Sequence, residues 1–143
     1  MAPTHLLDTN TVSYLLRGAS KPLADRIAVT RREDVAISIL TAMELRFGLA
    51  KNPAATRTRA VVEAFLATVP IANLPEDIAP IYGDVRADLE RRGVPIGPLD
   101  TIIAAHALAL DCTLVTSNTK ELRRVSKLRC EDWTSPAGRK AGH

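Results

Sequence analysis

Three carboxylates in this chain stand where carboxylates can do chemistry: Asp8, Glu44 and Asp100. Asp8 closes the short apolar run that begins at His5. Glu44 follows the β-branched run Val35–Ile39, in the first turn of a helix expected over Thr41–Lys51. Asp100 opens a helix expected over Asp100–Leu110, which leads into a strand expected over Thr113–Thr116. In an open parallel sheet, ligands bind at the carboxyl ends of the strands, and all three acids map to that edge. Two carboxylates about 4 Å apart repel by roughly 1 to 4 kcal/mol, so a cluster of them calls for a proton or a cation. Hard oxygen donors without Cys or His select Mg²⁺ or Mn²⁺ over zinc, and a carboxylate-held Mg²⁺ commonly completes its shell with water and phosphate. The chemistry that suits such a site is phosphodiester hydrolysis.

Each acid also has an ordinary structural use. Asp8 and Asp100 fit helix N-caps, and Thr41-Ala42-Met43-Glu44 fits a capping box. Capping, however, needs only one residue after the first strand, where Asp8, Thr9, Asn10 and Thr11 all qualify and Asp8 lies farthest from a helix expected at Val12–Arg17. It also gives no reason for three acids on one edge of one sheet.

The elements that must position these acids alternate along the chain. Strands are expected at His5–Asp8, Val35–Ile39, Ile71–Leu74, Thr113–Thr116 and Leu128–Glu131. Helices are expected at Val12–Arg17, Leu23–Thr30, Thr41–Lys51 (ended by Asn52-Pro53), Thr56–Val69, across Ile78 to Leu89 (closed by Arg92-Gly93), Asp100–Leu110 and Lys120–Val125. Strands separated by helices imply a parallel sheet with helices on both faces. The expected architecture is a single three-layer α/β/α domain over residues 1–133, with a mostly parallel sheet of four or five strands, followed by a disordered small-residue and basic tail at 134–143.

Composition narrows the setting. The chain has 143 residues, 46% hydrophobic and 24% charged, the balance of one globular domain. Its longest uncharged stretches, Ala64–Pro75 and Thr101–Leu110, fall far short of the roughly 20 apolar residues of a membrane span. The N-terminus has no secretory pattern, and the two cysteines, Cys112 and Cys130, suit neither a disulfide framework nor a zinc site; a reducing cytoplasm fits best. The formal charge is +3, but residues 119–129 alone carry +4 through Lys120, Arg123, Arg124, Lys127 and Arg129 against Glu121. That run is either a solvated face or a grip on an anionic polymer. With aromatics at only 3%, a nucleic-acid partner would be held by backbone and shape more than by stacking.

Four segments carry a family resemblance: LLDTNTVSYLL (6–16), SILTAMELRFGL (38–49), PLDTIIAAHAL (98–108) and LVTSNTKELRRVSKLRCEDW (114–133). Together they resemble the PIN-domain toxins of VapC type, in order and spacing, over nearly the whole chain. The resemblance implies a Mg²⁺-dependent (or Mn²⁺-dependent) endoribonuclease of a type II toxin–antitoxin pair. It implies a VapB-like antitoxin as partner, a homodimer and higher hetero-oligomers with the antitoxin, and RNA, transfer RNA among the choices, as substrate. Carried across, the family's metal-binding acids fall on Asp8, Glu44 and Asp100. Its fourth acidic position falls on Asn118, an amide that can act on metal through water but adds no charge, or that can simply cap the next helix. Thr116 matches the family's hydroxyl residue, with an orienting role. Lys120, Arg123, Arg124 and Lys127 are the candidates for holding RNA.

The helix around Glu44 has a second apolar stripe, Met43 and Phe47, about a third of a turn from Ala42, Leu45 and Leu49. It is expected to contact a partner chain, unless the Thr56–Val69 helix covers it. His106, mid-helix, reads as a packed histidine rather than a base, and no Ser/His/Asp or reactive-Cys arrangement stands out. Two other functions compete. A haloacid-dehalogenase-type phosphatase matches Asp8-Thr9-Asn10 and Gly83-Asp84-x-x-x-Asp88, but Asn10 replaces that family's general acid and the second motif lies inside a helical pattern. An inactive RNA- or protein-binding module would leave the acid cluster without a use.

Overall fold

Parallel pairing requires each strand to be followed by a crossover, usually a helix on one face of the sheet, and among the described residues the strands pair only that way. The computed structural model describes residues 2–136. In order these form β1 (His5–Leu7), α1 (Thr9–Leu16), α2 (Lys21–Ala28), a 3₁₀ turn (Arg32–Asp34) and β2 (Val35–Ser38). Then follow α3 (Ile39–Lys51), α4 (Thr56–Thr68), β3 (Ile71–Ala72), α5 (Ile78–Arg91), α6 (Pro98–Ala109), β4 (Thr113–Val115), α7 (Thr119–Leu122) and β5 (Cys130–Glu131). The sheet order is β3-β2-β1-β4-β5 and every pair is parallel. The expected three-layer α/β fold is present, with five strands. The tail expected at 134–143 falls, from residue 137 on, outside the described residues.

Alternation along the strands builds the two faces. Leu6, Ala36 and Leu114, which pair across the sheet, point to one side and pack with Leu89, Ile103, Ala107, Leu122 and Val125 from α5, α6 and the α7 region. Their neighbours Leu7, Ile37 and Val115 point to the other side, against Val12 of α1, Leu23 of α2 and Trp133. Trp133 closes this layer: its indole N–H donates to Glu131 Oε1 at 2.8 Å, and the Arg26 guanidinium lies 4.6 Å from the ring centre. Gly93 ends α5 at φ +71°, a left-handed position that accepts glycine without strain.

The strand order decides where a ligand can bind. From β1 the chain steps outward to β2 and β3, then returns to place β4 and β5 on the other side of β1. In open parallel sheets such a reversal marks the ligand-binding edge, here above the carboxyl ends of β1 and β4. Asp8 leaves β1 there, and Thr116, Asn118 and α7 leave β4 there.

Candidate active site

Asp8 is the N-cap of α1. Its Oδ1 accepts the Thr11 N–H at 2.8 Å, and its own N–H donates to the Val115 carbonyl at 3.0 Å, continuing the β1–β4 ladder. The helix therefore starts at Thr9, three residues earlier than the sequence pattern suggested, because Asp8 rather than Asn10 or Thr11 satisfies the free N–H groups. Only 4% of Asp8 is exposed. Capping occupies Oδ1 and leaves Oδ2 without a hydrogen-bond partner among the described residues.

Asp100 does not cap its helix. The N-cap position of α6 is Gly97, Pro98 opens the first turn, and Asp100 stands two residues further into that turn, making no hydrogen bond or ion pair among the described residues. Burial, then the negative charges of Asp8 and Glu121, push its carboxyl above the usual range. A carboxylate at a helix start ordinarily gains from the N–H groups there; here burial and two like charges outweigh that gain. The negative charge of Asp8 thus bears on Asp100 although the two are remote in sequence.

The charge on the β4 side comes from Glu121, a residue the motifs did not single out. Asn118 sits at the N-cap position of α7 but does not cap it: its Nδ2 donates to Glu121 Oε2 at 3.1 Å. The buried Thr116 hydroxyl accepts the Asn118 N–H at 2.9 Å and shapes the turn between them. The available signal was Glu121 itself, the one acid in a basic run, one helical turn after Asn118. Among the described residues no basic side chain pairs with Asp8, Glu44, Asp100 or Glu121.

Glu44 stands apart. Helix α3 begins at Ile39 under a Ser38 cap, so Glu44 lies in its second turn and the Thr41–Glu44 capping box does not form. Glu44 is exposed and borders a groove of about 480 Å³ lined by Leu16, Arg17, Leu45, Leu49, Arg57 and Val61. Among the described residues no three His, Cys, Asp or Glu side chains converge tightly enough to enclose an ion. Met43 and Phe47 are 58% and 60% exposed, so α4 does not cover the second stripe.

The basic run does not form one patch. Lys120, Arg123 and Lys127 are exposed. Arg124 instead donates to the Pro95 carbonyl at 3.1 Å, and Arg129 reaches Asp111 at the opposite end of β4. The phosphatase-like segment Gly83–Asp88 lies inside α5, where Asp88 pairs with Arg92 at 2.7 Å, away from any strand end. Burial pushes both cysteine thiols up, Cys130 to about 11, which keeps them protonated and poor nucleophiles.

A PIN domain family model matches residues 5–128 of the chain. This chain belongs to the PIN-domain family. The tRNA(fMet)-specific endonuclease VapC of Shigella flexneri is 35% identical to it over 129 residues, covering 90% of this chain and 97% of that protein. A crystal structure of DNA-bound VapBC from Salmonella typhimurium matches with a TM-score of 0.84 at 34% identity, covering 92% of this chain and 98% of the other. The crystal structure of VapBC2 from Rickettsia felis bound to a promoter DNA fragment matches with a TM-score of 0.83 at 30% identity, covering 91% and 98%.

The donor set of this PIN domain fits a hard divalent cation. Asp8 and Asp100 supply unpaired oxygens, and Mg²⁺ is commonly held by only one or two carboxylates with water in the remaining positions. A cation there would offset the burial of the Asp100 charge and its repulsion with Asp8 and Glu121, which no Lys or Arg pairs with among the described residues. Of the other acids, Glu121 bears on Asp100 through its charge, while Glu44 borders the groove beside α4.

His106 supports the PIN domain without bonding to any of these acids. It is fully buried, and its Nε2 lies 3.1 Å from the Asn73 carbonyl, which can only accept. Nε2 therefore carries the proton, and Nδ1 accepts the Ser38 hydroxyl at 2.9 Å. Burial holds its pKa below 6.5, so the unfolded chain takes up a proton before the folded one does. Stability from this residue is complete above about pH 6.5 and falls as pH drops through that value. The expected cost of His106→Ala is about 3 kcal/mol, from the cavity and the unpaired Ser38 and Asn73 groups. Urea titrations should also show that variant losing less stability than wild type between about pH 7 and pH 5.

Proposed function

We propose that this PIN domain is the toxin of a VapBC-like type II toxin–antitoxin pair and acts in the cytoplasm as a Mg²⁺- or Mn²⁺-dependent endoribonuclease. The observation that supports the reading is that Asp8 leaves the carboxyl end of β1 and its charge bears on Asp100, with no basic side chain paired to either among the described residues. In this reading Asp8 and Asp100 hold the metal directly, and Glu44 and Glu121 complete its surroundings. Bound there, a divalent ion would supply Lewis-acid activation of water and of the scissile phosphodiester. Asn118 orients Glu121 through its amide, and Thr116 orients Asn118 through the turn. Lys120, Arg123 and Lys127 meet RNA phosphates from the solvent side of α7, with Arg124 as their anchor to the fold. Met43 and Phe47 face partner chains, a VapB-like antitoxin and a second copy of this chain. The substrate is a structured RNA, and transfer RNA is the first to test.

Incubating the purified chain with total RNA and Mn²⁺, then sequencing the fragment ends, tests this reading. Wild-type protein should produce discrete new ends that are absent with Asp8→Asn. The same ends at the same rate from both proteins, after removal of contaminating nucleases, would overturn it.

A further inference from the structure

Between α5 and the start of α6 lies a cavity of about 210 Å³, to which neither the proposed metal-site acids nor the basic run contributes a lining residue. Its lining is of two kinds. Tyr82, Arg86 and Glu90 follow one another at four-residue spacing, so they form one polar row along α5. Arg86 Nε donates to Glu90 Oε2 at 2.9 Å, and its Nη1 donates to the Tyr82 hydroxyl at 3.1 Å. These bonds hold the row in line and leave Glu90 Oε1 and Arg86 Nη2 without partners among the described residues. Pro95, Ile96 and Pro98 supply apolar lining from the connection into α6, and the fixed φ of the two prolines stiffens it. At this size the cavity suits a single ring system, since sites for drug-sized ligands start at about 300 Å³.

Two observations set the cavity beside the residues assigned to RNA. Pro98 and Thr101, which line it, bracket Asp100 at the start of α6. The carbonyl of Pro95, another lining residue, accepts Arg124 of the basic run at 3.1 Å. An RNA held through its phosphates by that run and cut at Asp100 therefore has a nucleotide at hand for this cavity. Proteins read single-stranded RNA largely by hydrogen bonds to bases splayed out of the stack. Guanine matches the polar row: its N1–H and N2–H are neighbouring donors that one carboxylate accepts together, and its O6 and N7 accept from an arginine. The pairing edges of adenine, cytosine and uracil offer a carboxylate only one donor group each.

We propose that this cavity is a guanine subsite that holds one base of the RNA substrate beside the cut, with Glu90 and Arg86 as its specificity-determining residues. This rests on the endoribonuclease reading, but not on which acids touch the metal. A well-made bidentate contact to a base discriminates about tenfold or more against the wrong one.

The experiment has two arms. In the first, a short RNA spanning a mapped wild-type cut is remade with each guanine in turn replaced by adenine or by inosine, which lacks the N2 donor. At one position near the cut, adenine should lower wild-type kcat/KM about tenfold and inosine should lower it less. Glu90→Gln should cut the guanine and adenine RNAs at nearly equal rates. The Arg86–Glu90 pair is exposed and adds little to stability, so the melting temperature of that variant should match wild type. In the second arm, guanosine monophosphate is titrated while backbone amide shifts are followed by NMR; the amides of Tyr82, Glu90 and Thr101 should move in wild type and stay still in Glu90→Gln. Discrete Asp8-dependent cuts with no guanine dependence at any position would overturn the inference and leave the nuclease reading intact. Guanine dependence that persists in Glu90→Gln would overturn it too, as would a free nucleotide that binds here when the RNA shows no such dependence. Absence of any Asp8-dependent cut is the distinct result that would overturn the nuclease reading itself.

Discussion

Asp100→Asn should abolish RNA cleavage and stabilise the metal-free protein. Removing one of the two carboxylates placed on the metal is expected to lower the rate about 10³-fold, equivalent to about 4 kcal/mol in the barrier. The fold survives because Asp100 does not cap α6 and makes no hydrogen bond or ion pair among the described residues. What disappears is a half-buried charge and its repulsion with Asp8 and Glu121, which at a partly wetted site together cost about 1 kcal/mol. In a domain of this size that corresponds to a rise of about 4 °C in the melting temperature. The sign can be checked against pH. The raised pKa of Asp100 means that the folded chain binds more protons than the unfolded chain just above pH 3.8, so this group contributes stability at low pH that is lost as pH rises through its folded pKa. The gain from Asp100→Asn should therefore be present at pH 7 and vanish near pH 3. A loss of melting temperature at pH 7 would mean that Asp100 is a structural acid.

The second large effect is the response to metal. An ion that binds only the folded state stabilises it by about 2.7 kcal/mol at a hundredfold excess over Kd, or about 10 °C here. Wild-type protein should show a rise of that order with Mn²⁺. Asp8→Asn should show almost none, although asparagine still caps α1 and the apo fold persists. The rise should also shrink as pH falls through the raised pKa of Asp100, since the metal must compete with the proton held there. An equal rise in wild type and Asp8→Asn would place the ion elsewhere.

Local signals in the sequence reach most of this architecture. Val35–Ser38 and Thr113–Val115 are apolar or β-branched runs bounded by polar residues, and the structure has strands there. The repeated apolar face from Ile78 to Leu89 is α5, and its Gly93 stop is the turn that ends it. The strand order is not legible, because parallel partners such as Leu6 and Leu114 lie more than a hundred residues apart and no short-range pattern records that pairing. Helix starts were misplaced by capping chemistry: Ser38 rather than Thr41 opens α3, and Gly97 rather than Asp100 stands before α6. Glu121 was hidden by its basic neighbours. Only the three-dimensional turn set by Thr116 and Asn118 brings it toward Asp100. His106 was read correctly as a packed histidine, but its bond to Ser38 joins two helices that no sequence window contains together.

The most direct measurement is a crystal structure of the chain grown with Mn²⁺ and read by anomalous scattering. A single strong peak should lie above the carboxyl ends of β1 and β4, with oxygens of both Asp8 and Asp100 about 2 Å from it and with Glu44 swung toward it from α3. Manganese bound elsewhere, or Asp8 and Asp100 left bare at saturating metal, would contradict the account.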